Sequence, residues 1–347
     1  MVMRNSATDL KGSNSVTTLT TFQHKQAAHC ESGVVSSLVS HYGLPMSEPM
    51  AFGIASALAF AYMPFIKMGG MPLISYRMWP GAIVKAMHKR LGMTMERRKF
   101  GNVEAGMAAL DKELDGGRAV GLQTCIFWLP YVPEQFRFHF NVHNLIVYGR
   151  EGDDYLISDP LFETVTRCPR AALAKARFAK GAMEAKGLMY YPTQAVTDIN
   201  YKELLPQVIR ANYRNMMQPI MPMIGIKGIR FLARNIVKLE QKKDPSLQLY
   251  LTHIVRMQEE IGSGGAGFRF LYASFLQEAS TILGSDQLSQ ASKELTNAGD
   301  EWRRFALHAT KMCRNRSPMS GAELSAILNR IADMEAAMWK ALKGFAA

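Results

Sequence analysis

Beyond Thr193 the sequence carries no strand pattern, and this change of character constrains the fold more than any other feature. Upstream, residues 119–127, 138–148, 155–158 and 163–166 gather β-branched and aromatic side chains between Gly, Asp and Pro breaks, which predicts strands. Gly152-Asp153-Asp154 predicts a hairpin turn. Three helices are expected before them. The first covers residues 30–42, where Val34, Val35, Leu38, Val39 and Tyr42 make a stripe that Gly43 stops. The second covers 80–91, with Pro80 in its first turn, and the third 102–114, with Asn102 as cap. Residues 198–347 read as helical throughout, broken near Pro219–Pro222, Gly225–Gly228, Asp244-Pro245 and Gly262-Ser263-Gly264-Gly265. Helices followed by an antiparallel sheet is the α+β class, here succeeded by an all-α domain. A chain of 347 residues accommodates two such domains, with a border expected between Tyr191 and Tyr201. The expected division is a loose tail at 1–21, an α+β domain at 22–195 and a helical domain at 198–347.

The tail is rich in Ser, Thr and Asn and lacks the apolar run of a secretory signal. Residues 50–66 are almost wholly apolar, but 17 residues holding Gly53, Ser56 and Pro64 favour a buried helix over a membrane span. No transmembrane segment is therefore expected. The four cysteines, Cys30, Cys125, Cys168 and Cys313, show no metal or redox spacing, which fits reduced thiols in a cytoplasm. The formal net charge of +12 is concentrated: residues 202–243 hold nine Lys or Arg against two Glu, and 167–186 hold six against one. Such a surface suits an acidic protein, a nucleic acid or an anionic membrane, or is simply a solvated face. No zinc finger, helix-turn-helix or aromatic–basic platform supports nucleic-acid readout.

Cys30 opens the first expected helix, where free N–H groups and the helix dipole favour a thiolate and supply an oxyanion donor. A base should come from the sheet. His139, Asn141, His143, Leu145 and Val147 share one face of the strand expected at 138–148. His143 is the better candidate, because Asp159 follows it by 16 residues across the Gly152 turn, where a carboxylate can fix the imidazole tautomer and support its positive charge. Cys30, His143 and Asp159 thus form a candidate nucleophile–base–orienter set. No tightly bound cofactor and no metal is expected.

Residues 29–62, HCESGVVSSLVSHYGLPMSEPMAFGIASALAFAY, resemble the N-terminal domain of the butirosin biosynthesis protein H family through His29-Cys30, Gly43, Ser47-Glu48-Pro49 and Phe52-Gly53. HNLIVYGREGDDYLISDP, residues 143–160, is similar to the same domain's hairpin. GIKGIRFLA (225–233) and GSGGAGFRFLYASFLQEAS (262–280) resemble the helical domain that follows it. The resemblance implies a papain-like fold related to peptidases that trim double-glycine leaders. In the namesake an acyl group passes from an acyl carrier protein to an aminoglycoside amine. Carried over, Cys30 takes the acyl group from a phosphopantetheine thioester, His143 shuttles the proton and Asp159 orients His143. The partners implied are an acidic acyl carrier protein, steered by the basic stretch, and a small-molecule amine acceptor. Papain-like enzymes usually place Gln six residues before the nucleophile as an oxyanion donor. Here that position is His24, with Gln23 and Gln26 nearby, so all three are candidates.

Three further residues are candidates for substrate binding, each with a plainer role beside it. Glu48 binds the amine or caps the helix it precedes. His29 lines the cleft or makes a structural hydrogen bond. Arg269 reaches the cleft or pairs with a neighbour. The glycines at 262–265 lack the context of a phosphate loop and predict a close approach of backbones between domains. Cys125, Cys168 and Cys313 are expected to be inert. The function that follows is transfer of an acyl group from a thioester to an amine in specialised metabolism. A cysteine peptidase or amidase on the same residues, and a non-catalytic carrier-protein-binding module, are the alternatives.

Overall fold

The hairpin expected across Gly152 forms the middle of a sheet in the computed structural model, which describes residues 18–19, 21–194 and 198–346. In chain order the elements are β1 (Thr18–Leu19), α1 (Cys30–His41), α2 (Glu48–Ile54), β2 (Leu58–Met68), β3 (Met71–Arg77), α3 (Ala82–Leu91), β4 (Met95–Arg98), α4 (Val103–Asp115), β5 (Val120–Thr124), β6 (His143–Glu151), β7 (Asp154–Ser158), β8 (Thr166–Pro169), α5 (Arg170–Arg177) and β9 (Met189–Pro192). Helices follow: α6 (Tyr201–Met217), α7 (Gly225–Gln241), α8 (Leu247–Glu259), α9 (Arg269–Leu283), α10 (Asp286–Cys313) and α11 (Gly321–Ala341). The main sheet runs β4-β9-β5-β6-β7-β8, antiparallel throughout, and β1 pairs with the far end of β6. β2 and β3 make a separate hairpin.

The alternation along β6 decides how the layers stack. Leu145 and Val147 join one core with Leu110 of α4 and Leu173 of α5. Ile146 joins the other with Val34 and Leu38 of α1. This second core runs without interruption through α2, β2 and β3 into α6–α11, so helices of the C-terminal half pack directly on the elements that carry Cys30. Gly53 of α2 marks a close approach between them. A Cβ built there would stand 2.0 Å from the Phe275 ring of α9, which is fully buried. Gly53→Ala therefore overpacks the junction, and a loss of about 3 kcal/mol is expected, checked by urea unfolding.

Several sequence expectations are corrected. Residues 50–66 are not one helix. The α2 helix ends at Ile54, Ser56 takes a left-handed φ of 48°, and a strand begins at Leu58. A uniformly apolar run has no period to separate a buried helix from a buried strand. The strand expected from residue 138 begins only at His143, so His139 and Asn141 lie in the preceding loop, where the His139 ring stacks on Phe127 at 4.1 Å. β4 and β9 were not expected. Most of the tail expected at 1–21 lies outside the described residues, while its Thr18–Leu19 forms β1. Among the described residues no helix is long and apolar enough to cross a membrane.

Candidate active site

Two carboxylates fix the start of α1. Glu48 accepts from the backbone N–H of Ala28 at 2.8 Å and of His29 at 2.9 Å, and from the Ser32 hydroxyl at 2.8 Å. Burial pushes its pKa up, and those three hydrogen bonds offset part of the rise. Both oxygens are thus committed to the chain just before Cys30. The cap of α2 is Ser47, which accepts from Met50 N–H and donates to Glu278 of α9 at 2.6 Å. Both roles expected for Glu48, cap and amine binding, are replaced by this anchoring one. Glu31, fully buried, accepts from Ile83 N–H at 2.9 Å and pairs with Arg77 at 3.2 Å. It thereby caps α3, whose own N-cap position, Gly81, offers no side chain.

His29 is the N-cap of α1, accepting from Ser32 N–H. Burial, then the charges of Arg77 and His143, hold its pKa well below the usual histidine value, so the ring is neutral. It is 3% exposed, and Phe268 meets it edge-on at 5.1 Å. His29 therefore takes the structural role and does not line a cleft. Phe268 ends five consecutive residues with positive φ, Gly264 to Phe268. Two of these are not glycine, at about 1–2 kcal/mol of strain each. Gly264 comes against Ala28, where a Cβ would stand 3.0 Å from the Ala28 side chain. The close approach of backbones expected at the glycine run is present, and it presses on the residues that precede Cys30.

The imidazole lies opposite. His143 Nε2 and Asp159 Oδ2 are 2.7 Å apart, with both side chains buried. Asp159 also accepts from Tyr131 Oη at 2.9 Å and from Leu161 N–H at 3.1 Å. Burial alone would lower the pKa of His143. The Asp159 carboxylate and the adjoining Cys30 thiol outweigh it and hold the imidazole up at about 10. Nε2 is engaged with Asp159, which leaves Nδ1 as the ring nitrogen for the thiol. Cys30 itself is 7% exposed. Ala27 N–H donates to Pro160 O at 2.7 Å, tying the approach to Cys30 to the residue after Asp159. Cys30, His143 and Asp159 are therefore brought together from the start of α1, the start of β6 and the end of β7.

Other candidates are not. Both ring nitrogens of His24 are occupied, by Ser158 Oγ at 2.8 Å and Phe162 O at 3.0 Å, which leaves no N–H for an oxyanion. Gln23 and Gln26 are exposed. Arg269 is fully buried in the helical half, paired with Glu335 at 2.9 Å and donating to Gly267 O, so its place is a structural ion pair and not the cleft. Asn144 was missed. Its Nδ2 stands 4.0 Å from Cys30 Sγ, and Tyr190 Oη holds its Oδ1 at 2.8 Å. Neighbours in a strand point to opposite faces, so period-two reasoning that selects His143 passes over Asn144. Only the strand-end position lets both flank one thiol. Cys168 and Cys125 are buried, and burial pushes the Cys168 thiol up to about 12. Among the described residues no group of three or more His, Cys, Asp or Glu could hold a metal ion.

With this geometry in place, comparison with protein families assigns residues 29–160 to butirosin biosynthesis protein H, N-terminal. The chain carries a butirosin biosynthesis protein H N-terminal domain. Residues 171–342 match a domain of unknown function, DUF4872, which accounts for the helical half. The fold is α+β in the first half, with helices after it. A protein described as a C39-like peptidase from Bacillus anthracis is similar at 14% identity and a TM-score of 0.35, over 50% of this chain and 95% of that one. A comparison with curated proteins finds no match. Butirosin biosynthesis protein H domains thus join a second, helical domain here, and the second match begins inside α5, before β9 closes the sheet.

Proposed function

We propose that this protein is a cysteine acyltransferase that moves an acyl group from a thioester to an amine. The observation that carries the reading is a thiol at a helix N-terminus beside a buried imidazole whose far nitrogen bonds a carboxylate. Cys30 gives its proton to His143, and its sulfur adds to the thioester carbonyl. The intermediate collapses, the donor thiol leaves with the proton from His143, and the acyl group stays on Cys30. An amine then attacks, His143 takes its proton, and the thiolate of Cys30 departs and recovers it. Asp159 keeps the imidazole oriented and stabilises its charged form. The backbone N–H of Cys30 and the Asn144 amide are the oxyanion donors this reading uses.

The family name, with its biosynthetic rather than degradative context, supports transfer. So does a cleft of about 400 Å³ lined by Phe127, Trp128, Pro130, Glu134 and Arg137, on the loop that sends Tyr131 to Asp159. Glu134 and Arg137 give this cleft charges of both signs for a polar acceptor. The donor in this reading is a phosphopantetheine thioester on an acidic carrier protein, met by the exposed Lys202 and Arg214 of α6 and Arg234 and Lys238 of α7.

Intact-mass measurement after incubation with a simple acyl thioester tests the proposal. One acyl group is expected on the wild-type chain and none on Cys30→Ala, with release faster to added amines than to water. Release to water alone would make the protein a hydrolase. No adduct, with Cys30 also inert to iodoacetamide, would leave a non-catalytic binding module.

A further inference from the structure

The proposed chemistry leaves the tip of the β2–β3 hairpin without a role. Residues 65–70 are exposed without interruption, on both faces of the ribbon and at its turn. They include Phe65, 66% exposed, with Ile66 and Met68. Two further segments meet the tip. The chain leading into α7 runs antiparallel beside β2, with Ala61 bridged to Ile224 and Tyr62 N–H donating to Met223 O at 3.0 Å. A tight turn, closed by Ile224 N–H donating to Met221 O at 3.2 Å, precedes this bridge, and Met221 and Ile220 before it are exposed. On the other side, Lys67 Nζ donates to Tyr250 Oη at 2.7 Å and lies 4.2 Å over its ring, which brings the exposed Leu249 alongside. Single exposed apolar residues are ordinary, but a cluster of this kind marks an interaction surface.

The charge around it is mostly positive. From Glu48 to Glu96 the intervening sequence has no carboxylate, and residues 214–238 carry five Lys or Arg and none. Near the tip the carboxylate is Asp244. Its pKa is held low by hydrogen bonds from Ser246 and then by the charges of Lys242 and Lys67, which places both lysines beside it. Lys243 follows, also exposed.

We propose that this tip docks on an anionic lipid bilayer. Phe65, Ile66 and Met68 enter the boundary between headgroups and acyl chains, and Lys67, Lys242 and Lys243 meet the lipid phosphates. A ribbon end with apolar side chains on every side is a wedge. It offers no flat face for a globular partner, whereas a fluid surface closes around it. Since no described helix spans a bilayer, the association is at the surface.

Vesicle co-sedimentation tests this with the full-length protein, using phosphatidylcholine vesicles with and without phosphatidylglycerol. Binding is expected to the anionic vesicles and to weaken in high salt. The Phe65→Ser/Ile66→Ser double variant should bind at least about tenfold more weakly, since two apolar side chains no longer leave water. Its circular dichroism and Cys30 alkylation rate should stay at wild-type values, which separates this proposal from the proposed catalysis. Absence of binding to anionic vesicles, or equal binding by the variant, overturns the proposal. So does concentration-dependent dimerisation that the variant abolishes in the absence of vesicle binding, which would assign the patch to a second copy of the chain. Saturable binding of an acidic carrier protein that requires Phe65, without vesicle binding, would overturn it in favour of a protein partner.

Discussion

In a His143→Gln variant, transfer of an acyl group to an amine is expected to fall by about 10²–10⁴-fold, the usual contribution of a positioned base. Alkylation of Cys30 by iodoacetamide at neutral pH should fall with it, by about 10²-fold. The thiol keeps its place at the start of α1, because the anchors that hold it there do not involve His143: Glu48 on Ala28 and His29, Glu31 on α3, and Phe268 on the His29 ring. What is lost is the group that accepts its proton. The variant's residual rate should therefore climb with pH, as base from solution replaces the imidazole, while the wild-type rate stays flatter. The two pH–rate profiles of alkylation, measured on folded protein, decide this. Equal profiles would mean that His143 does not assist Cys30, and the acyltransferase proposal would lose its base.

The parts of this arrangement that were legible in the sequence are those set by local pattern. A helix stripe behind Cys30 and a hairpin turned at Gly152, φ 61°, were sufficient to bring a thiol, an imidazole and a carboxylate into one neighbourhood. Period two also put His143, Leu145 and Val147 on one face of β6, while the second core, which Ile146 enters, shows only in the structure. What stayed hidden was long-range pairing. His24 is satisfied by Ser158 and Phe162, more than 130 residues on, and Arg269 by Glu335, 66 residues on. Nothing in the spacing of either residue reports such a partner. Glu48 was misread for a related reason. Ser47-Glu48-Pro49 is a good helix start, yet the serine alone caps, which frees the carboxylate to reach back 20 residues to the chain before Cys30. β2 was lost because an all-apolar run has no period, and a strand that packs on α7 on one side and β3 on the other needs none.

Asp159 makes the second large prediction, on stability rather than rate. Asp159→Asn removes one partner of a buried pair, and a loss of about 3–5 kcal/mol at neutral pH is expected. Its pH dependence carries the diagnostic sign. The folded-state pKa of His143 is raised, from an ordinary 6.5 to about 10, with the Asp159 carboxylate and the Cys30 thiol outweighing burial. A raised pKa means that the native state binds the proton more tightly than the unfolded chain. The stabilisation is therefore complete below about pH 6.5 and disappears as pH rises through about 10. In Asp159→Asn the carboxylate is gone and burial lowers the histidine pKa instead, so this fall across the alkaline range should vanish. Urea unfolding of both proteins from pH 6 to pH 10 would show the wild-type advantage shrinking steadily with pH. A difference independent of pH would mean that Asp159 acts only through Tyr131 and Leu161, its other hydrogen-bond donors, and that His143 is neutral in the folded protein.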